Sequence, residues 1–369
     1  MKKVLILGVA PVQAEAIEKL KEMGYETHAL AMKKDGPGAD SADHFEEINI
    51  IDEAAVIAYI KQHHIDAVYS VGSDLAMPVA NKISEALDLP HFVSYDTAYA
   101  CNHKDVMRAQ TKGITGSVPF EITKDVNHQT EIDYPVFVKP TDGQGQRGIT
   151  LVTQAADLPE AIAYAVDQSR EGAAIIERYI DGYEISVNGY VVDGELQFTL
   201  VSMRETWPEH PGLIHKHIID PDYDYPMASI EAAIAAHLET LKIQNGPVYA
   251  QVKVMNHEAF IIEITPRFDG CHMHKLIQYY NHDDLLEKTF KHLLEEQAPT
   301  FTEATTTQPV VLEFMCETPK QPIDYYQFKV PDHTLESYRY YQQGEFIRPV
   351  NGVYDKVGFY IYPLMKEED

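Results

Sequence analysis

The stretch YAQVKVMNHEAFIIEITPRFDG, residues 249–270, holds two apolar-rich runs around the polar break Asn256-His257-Glu258. Each run alternates β-branched and aromatic residues with polar ones, the pattern of a half-buried strand. A three-residue loop at the break sets Gln251 opposite Glu263, and Thr265, two residues on, shares that face. The face then collects an amide oxygen, a carboxylate and a hydroxyl, with Arg267 just beyond. Hard oxygen donors beside a guanidinium suit Mg²⁺ (or Mn²⁺) and the phosphates it bridges. A plain hairpin with one solvated face satisfies the same pattern, so the flanking sequence has to decide.

Upstream lies VFVKPTDGQGQRGITLV, residues 136–152, in which Gly143, Gly145 and Gly148 spell G-x-G-x-x-G. The segment after it, GITLV, reads as a strand. No helix opens there, so this is not a dinucleotide fingerprint. A glycine-rich loop between two strands is a hairpin flap whose N–H groups can approach a polyphosphate. Lys139 ends the entering strand, placed to put a point charge on phosphate. A solvated surface hairpin is the alternative. Residues 173–180 (AAIIERYI) form another apolar strand, broken by Glu177 and Arg178, and Tyr183-Glu184 enters the next. A carboxylate in an apolar strand must be paired or hydrogen-bonded. Glu177 and Glu184 could grip an adenine amino group and ribose hydroxyls, or each could pair with a nearby Arg or Lys. Residues 201–222 read as a long loop rich in Arg, His and Lys, with Arg204 and Lys216 as candidate substrate contacts.

Nearer the N-terminus, strand and helix alternate: strand 3–9, helix 12–23, strand 25–31, helix 53–63, strand 66–71, helix 76–87. This is a doubly wound α/β unit. Its first turn has Gly8 without the full glycine motif, which argues against dinucleotide binding there. Residues 97–113 form a helix-rich bridge containing Asn102, Lys104 and Arg108. Helix is expected over 228–244 and 270–296, and residues 308–369 read as a small, mostly β closing region.

The 369 residues suffice for two or three domains, and the 45% hydrophobic, 24% charged composition is that of a globular protein. A net charge of −27 argues against nucleic acid or an anionic membrane as the main partner, though a local site can still be basic. Cys101, Cys271 and Cys316 share no close spacing, which fits a reducing cytoplasm and no metal knuckle. No stretch approaches the roughly 18 apolar residues of a membrane span. MKKVLILGVAPVQ reads as a first strand and not a signal peptide.

The order α/β unit, NHKDVMR, PVFVKP with its glycine flap, IIERYIDGYE, then YAQVKV…IIEITPR resembles the ATP-grasp superfamily. The branch is that of carbamoyl-phosphate synthetase, biotin carboxylase and the purine-pathway and amino-acid ligases. The resemblance runs from Met1 to about residue 296. It implies a Rossmann-like domain before the ATP-grasp domain (1–96), a two-lobed ATP-grasp domain (97–297, small lobe 115–185) and a β-rich C-terminal region (298–369) completing the large lobe. It implies ATP and Mg²⁺ (or Mn²⁺) as cofactors, with Lys104 and Lys139 on the phosphates and the flap from Thr141 to Gly148 above them. Glu177 with the backbone of Tyr179 and Ile180 would hold adenine, and Glu184 the ribose. Gln251 and Glu263 would bind metal. At Thr265 many members carry Asn as a second metal ligand, a departure that bears on the second metal and not on the fold. Arg267 would stabilise the transferred phosphoryl group or the acceptor carboxylate. Arg267–His274 resembles the substrate segment of amino-acid ligases, with Asp269, His272 and His274 as candidate contacts, although a lone histidine is more often a satisfied structural residue.

The implied chemistry is a ligase's. ATP phosphorylates a small carboxylate, and an amine displaces phosphate from the acyl phosphate. Two rival expectations are an ATP-dependent carboxylase forming carboxyphosphate and a non-catalytic nucleotide-binding protein. The expected partners are small-molecule carboxylate and amine substrates, with neither nucleic acid nor membrane, and a homodimer is compatible with the resemblance.

Overall fold

The structure, a computed structural model, describes residues 1–141, 148–302, 308–350 and 353–365, with the backbone alone at 211 and 212. The chain opens with β1 (Lys3–Leu7), α1 (Pro11–Glu22), β2 (Glu26–Ala31), α2 (Gly38–Ser41), β3 (His44–Glu47), α3 (Glu53–His63), β4 (Ala67–Tyr69) and α4 (Ala76–Leu87). The strands form a parallel sheet of order β3-β2-β1-β4. Val4 to Leu7 of β1 are all buried, as expected of a strand covered on both faces. Two short helices, α5 (Tyr95–Asn102) and α6 (Lys104–Gln110), form the expected bridge.

Next come β5 (Phe120–Thr123), β6 (Val136–Pro140), β7 (Thr150–Val152), α7 (Leu158–Gln168) and β8 (Ala174–Arg178), the strands making an antiparallel sheet of order β5-β8-β6-β7. The paired strands β6 and β7 flank the expected flap, whose residues 142–147 lie outside the described residues. Gly143 and Gly145 lie outside the described residues. Gly148 sits at φ +73, where a Cβ would come within 2.6 Å of Pro140, so the return of the hairpin requires glycine there.

The large sheet is built from β9 (Tyr183–Val192), β10 (Glu195–Trp207) and β11 (His210–Ile219), then, after α8 (Met227–Leu241), β12 (Gly246–Met255) and β13 (Glu258–Thr265). Helices α9 (Met273–Asn281) and α10 (Leu285–Glu295) lead to β14 (Val310–Glu317), β15 (Glu336–Arg339) and β16 (Asp355–Pro363). The eight strands run in the order β13-β12-β9-β10-β11-β14-β16-β15. Two expectations need correction. Residues 201–222 are mostly not a loop but the β10–β11 hairpin; charged residues on one face of a sheet masked the period-two signal. The β12–β13 turn has two residues, Asn256 and His257, both at positive φ as in a type I′ turn, and not three. A bulge at Ile262 of β13, opposite the Gln251–Val252 step of β12, restores the register, so Gln251 still faces Glu263 and Tyr249 faces Thr265. The carbonyls of Ile261 and Ile262 at this bulge accept from Arg108 at 2.9 and 3.0 Å.

Candidate active site

One face of the large sheet collects polar side chains because strand alternation and register repeat across four strands. Glu184 and Ser186 on β9 pair with Lys253 and Gln251 on β12, and Gln251 pairs with Glu263 on β13. Gln251 Nε2 donates to Glu184 Oε1 at 2.8 Å, and Arg204 of β10 reaches the same oxygen at 3.0 Å. The Gln251 amide is thereby oriented with its nitrogen on Glu184 and its oxygen left for a cation. Thr265 is buried, and its Oγ1 has no hydrogen-bond partner among the described residues. An amide oxygen, a carboxylate and an orphaned hydroxyl on one face are a fitting set for Mg²⁺.

The small sheet contributes a charge cluster. Phe137 pairs with Glu177 in register, so Lys139, two residues on, shares the face of Glu177. The Glu177 carboxylate is buried between two cations, accepting from Arg108 Nε at 2.6 Å and from Lys139 Nζ. Burial alone would raise its pKa, but Lys139 and Arg108 hold it well below the usual carboxylate range. Burial lowers the pKa of Lys139, and the nearby charges of Lys104 and Arg108 push the same way against Glu177. Two cations on one carboxylate, with the charge of Lys104 near Lys139, leave this end of the small sheet positive, suited to phosphate.

Each Glu177 oxygen thus meets a cation, Arg108 or Lys139, the pairing alternative for that residue. The Tyr179 N–H is also spent, donating to Pro135 O at 3.1 Å. The Ile180 carbonyl accepts from Lys253 Nζ at 3.3 Å. Glu184 is engaged by Gln251 and Arg204, the pairing alternative for that residue. Glu177→Gln should cost about 3–5 kcal/mol in urea unfolding, because it leaves Arg108 and Lys139 buried without a counter-charge. The depressed carboxylate contributes stability above the unfolded value of about pH 4.3 and loses it as pH falls toward its folded pKa. The variant should therefore lose less stability than the parent between about pH 5 and about pH 2; an equal acid loss over that range would remove the ion cluster as a source of stability.

Beyond the strand end, Arg267 is buried, and its Nε and Nη2 both donate to Asp74 Oδ1, the Nε bond measuring 2.7 Å, while Nη1 donates to Phe268 O at 2.7 Å. Asp74 follows β4. The sequence carried a signal for it, since in parallel sheets the carboxyl ends of strands face the ligand crevice. Gly72 and Gly270 meet here: a Cβ on Gly72, at φ +65, would lie 2.8 Å from Gly270 Cα. The N-terminal sheet is thus packed against the segment after Arg267. Beside this contact opens a cavity of about 560 Å³ lined by Gly8, Gln13, Gly72, His272, Arg348 and Lys356.

Three candidate substrate residues are repositioned. Lys216 pairs with Glu205 and Glu313 in register, on the sheet face opposite Arg204, and its ammonium lies 3.4 Å from Glu313. Its neighbour His217 takes the inner face beside Arg204, a residue the sequence reading missed; burial lowers its pKa to about 4. His272 reaches the cavity wall, but both ring nitrogens are taken, Nδ1 by Glu15 at 2.8 Å and Nε2 by the Tyr340 hydroxyl at 2.7 Å. His274 also faces Glu15, at 2.9 Å. Glu15 of α1 is buried, so these histidines tie the first helix to the strand end, and neither ring nitrogen of His274 has a hydrogen-bond partner among the described residues. Asp269 stays a candidate: Oδ1 accepts from the Cys271 N–H at 3.0 Å, and Oδ2, 4.0 Å from His217 Nε2, has no hydrogen-bond partner among the described residues.

Comparison with known proteins bears on this geometry. Residues 132–275 match the ATP-grasp domain family model. A formate-dependent phosphoribosylglycinamide formyltransferase of Bordetella avium is 27% identical over 211 residues, 53% of this chain and 51% of that protein. A D-alanine–D-alanine ligase of Parabacteroides distasonis is 35% identical over 109 residues, 28% of this chain and 32% of that one. The chain thus spans about half or less of the curated relatives it matches. The crystal structure of an L-amino acid ligase from Bacillus licheniformis superposes with a TM-score of 0.78 at 15% identity, covering 100% of this chain and 94% of that one, a likeness of fold. Among the described residues no helix is long and apolar enough to cross a membrane.

Proposed function

Residues 132–275 of this chain are an ATP-grasp domain, and on that premise we propose that the protein is an ATP- and Mg²⁺-dependent carboxylate–amine ligase acting on an amino acid or similar small carboxylate. The observation that carries this reading is the shared face of Gln251, Glu263 and Thr265, which ends two residues before Arg267. Gln251, Glu263 and Thr265 would hold Mg²⁺. Bound there, Mg²⁺ supplies positive charge to the phosphate oxygens of ATP. Lys139, oriented by Glu177, and Lys104 bring positive charge to the same phosphates. Ile180 lies at the hinge between the two sheets, where adenine is proposed to sit.

Arg267 already closes its fork on one carboxylate, that of Asp74, so its geometry suits an acceptor carboxylate or the acyl phosphate formed from it. The γ-phosphoryl group passes from ATP to the acceptor carboxylate. An amine then attacks the acyl carbon, forms the amide, and releases phosphate. Acyl phosphates hydrolyse readily, which gives the β6–β7 hairpin the task of excluding water. The cavity beside Gly72, with Arg348 and Lys356 in its wall, is large enough for a small anionic substrate.

Phosphate release from ATP measured across a panel of amino acids, with and without bicarbonate and formate, tests the proposal. Release that requires an amino acid, with an amide product, is the expected result. A strict bicarbonate requirement would favour the carboxylase reading. ATP binding without phosphate release under every condition would make the protein a nucleotide binder.

A further inference from the structure

A second set of metal-ligating side chains lies on the N-terminal sheet, on strands the ATP site does not use. Glu26 and His28 are two residues apart on β2, so they share a face, and His44 on the edge strand β3 is directly opposite His28. His28 Nε2 is hydrogen-bonded to Glu26 Oε1 at 3.2 Å, and His44 Nε2 lies 3.3 Å from the same oxygen. All three ligand atoms fall within 4.8 Å of one another. A tetrahedron with metal–ligand bonds of about 2.0–2.1 Å has edges of about 3.3 Å, so the Glu26 separations are those of a metal's ligand shell.

The surroundings support the same reading. His28 is buried, and its Nδ1 is bonded to the Tyr59 hydroxyl at 2.8 Å, the outer partner that fixes a ligating imidazole and turns Nε2 toward Glu26, where a metal would replace their hydrogen bond. His63 stacks on Tyr59 with ring centroids 4.1 Å apart, and its buried Nε2 has no hydrogen-bond partner among the described residues. The His28 and His44 rings are stacked at 4.6 Å, so closure on a metal requires His44, which is half-exposed, to turn toward Glu26. Lys3, 3.1 Å from the same Glu26 oxygen, is partly exposed and can swing away.

We propose that Glu26, His28 and His44 bind a Zn²⁺-class transition-metal ion that clamps the edge strand β3 onto β2. Two imidazoles and one carboxylate select such an ion over Mg²⁺ or Ca²⁺.

The full chain, stripped with a chelator, is titrated with ZnCl₂ by calorimetry and with Co²⁺ by absorption spectroscopy, beside His44→Ala and Glu26→Gln. Circular dichroism checks that the variants fold. The wild type should bind one equivalent of Zn²⁺ that raises its unfolding temperature. Both variants should bind it at least tenfold more weakly and lose that rise. Co²⁺ should give d–d bands of tetrahedral intensity without thiolate charge transfer. Unchanged Zn²⁺ affinity in folded His44→Ala would overturn the proposal. So would a thiolate-to-cobalt band, which would place the ion at the buried His217, Asp269 and Cys271 instead.

Discussion

Glu263→Gln is expected to lower ATP-dependent phosphate release by on the order of a thousandfold, through loss of several kcal/mol of charge stabilisation at the metal. The substitution keeps the side-chain volume and removes the charge. Glu263 is the carboxylate of the ligand face, since Gln251 opposite it is a neutral amide and Thr265 a hydroxyl. The fold should be unaffected, because the core beneath this face is made by Val252, Ile261 and Ile264, which are buried independently of Glu263. A magnesium titration of phosphate release, with a thermal melt on the same preparation, is the measurement. Parent-like turnover at ordinary Mg²⁺ would remove Glu263 from the metal, and a collapse of the melting transition would make it structural.

Arg267→Lys is expected to leave ATP affinity within about threefold of the parent and to lower amide formation by on the order of 10²–10³, the range for losing one preorganised donor to developing negative charge. Lysine keeps the charge and can still meet Asp74, but it loses the planar fork that Arg267 holds with Nε and Nη2 on one carboxylate. The loss should appear in kcat and kcat/KM together, the mark of an interaction made in the transition state. Calorimetry with ATP and a product assay on the same variant separate the possibilities. Lost ATP binding would move Arg267 onto the nucleotide, and unimpaired ligation would take it out of the reaction. Asp74→Asn is the companion variant: if Asp74 serves to orient Arg267, its loss should reproduce part of the Arg267→Lys defect.

The sequence by itself determined the parts of this protein that rest on local periodicity. The parallel unit of β1–β4, the flap strands around Lys139 and the pairing of Gln251 with Glu263 all follow from alternation, turn residues and short-range spacing, which reach the fold through the backbone alone. Even the misjudged turn left that pairing intact, because the bulge at Ile262 absorbed the extra residue. The tertiary structure decided which charge meets which. Glu177 meets Arg108 across 69 residues, Arg267 meets Asp74 across 193, and His272 meets Glu15 across 257. Such pairings depend on how three sheets are stacked, and no local pattern encodes them. A carboxylate in an apolar strand announces that it needs a partner, but whether that partner is a ligand or a distant cation is fixed by packing. The faces of Lys216 and His217 were likewise settled by the register of β10 and β11, since a shift of one residue exchanges which side chain looks into the site.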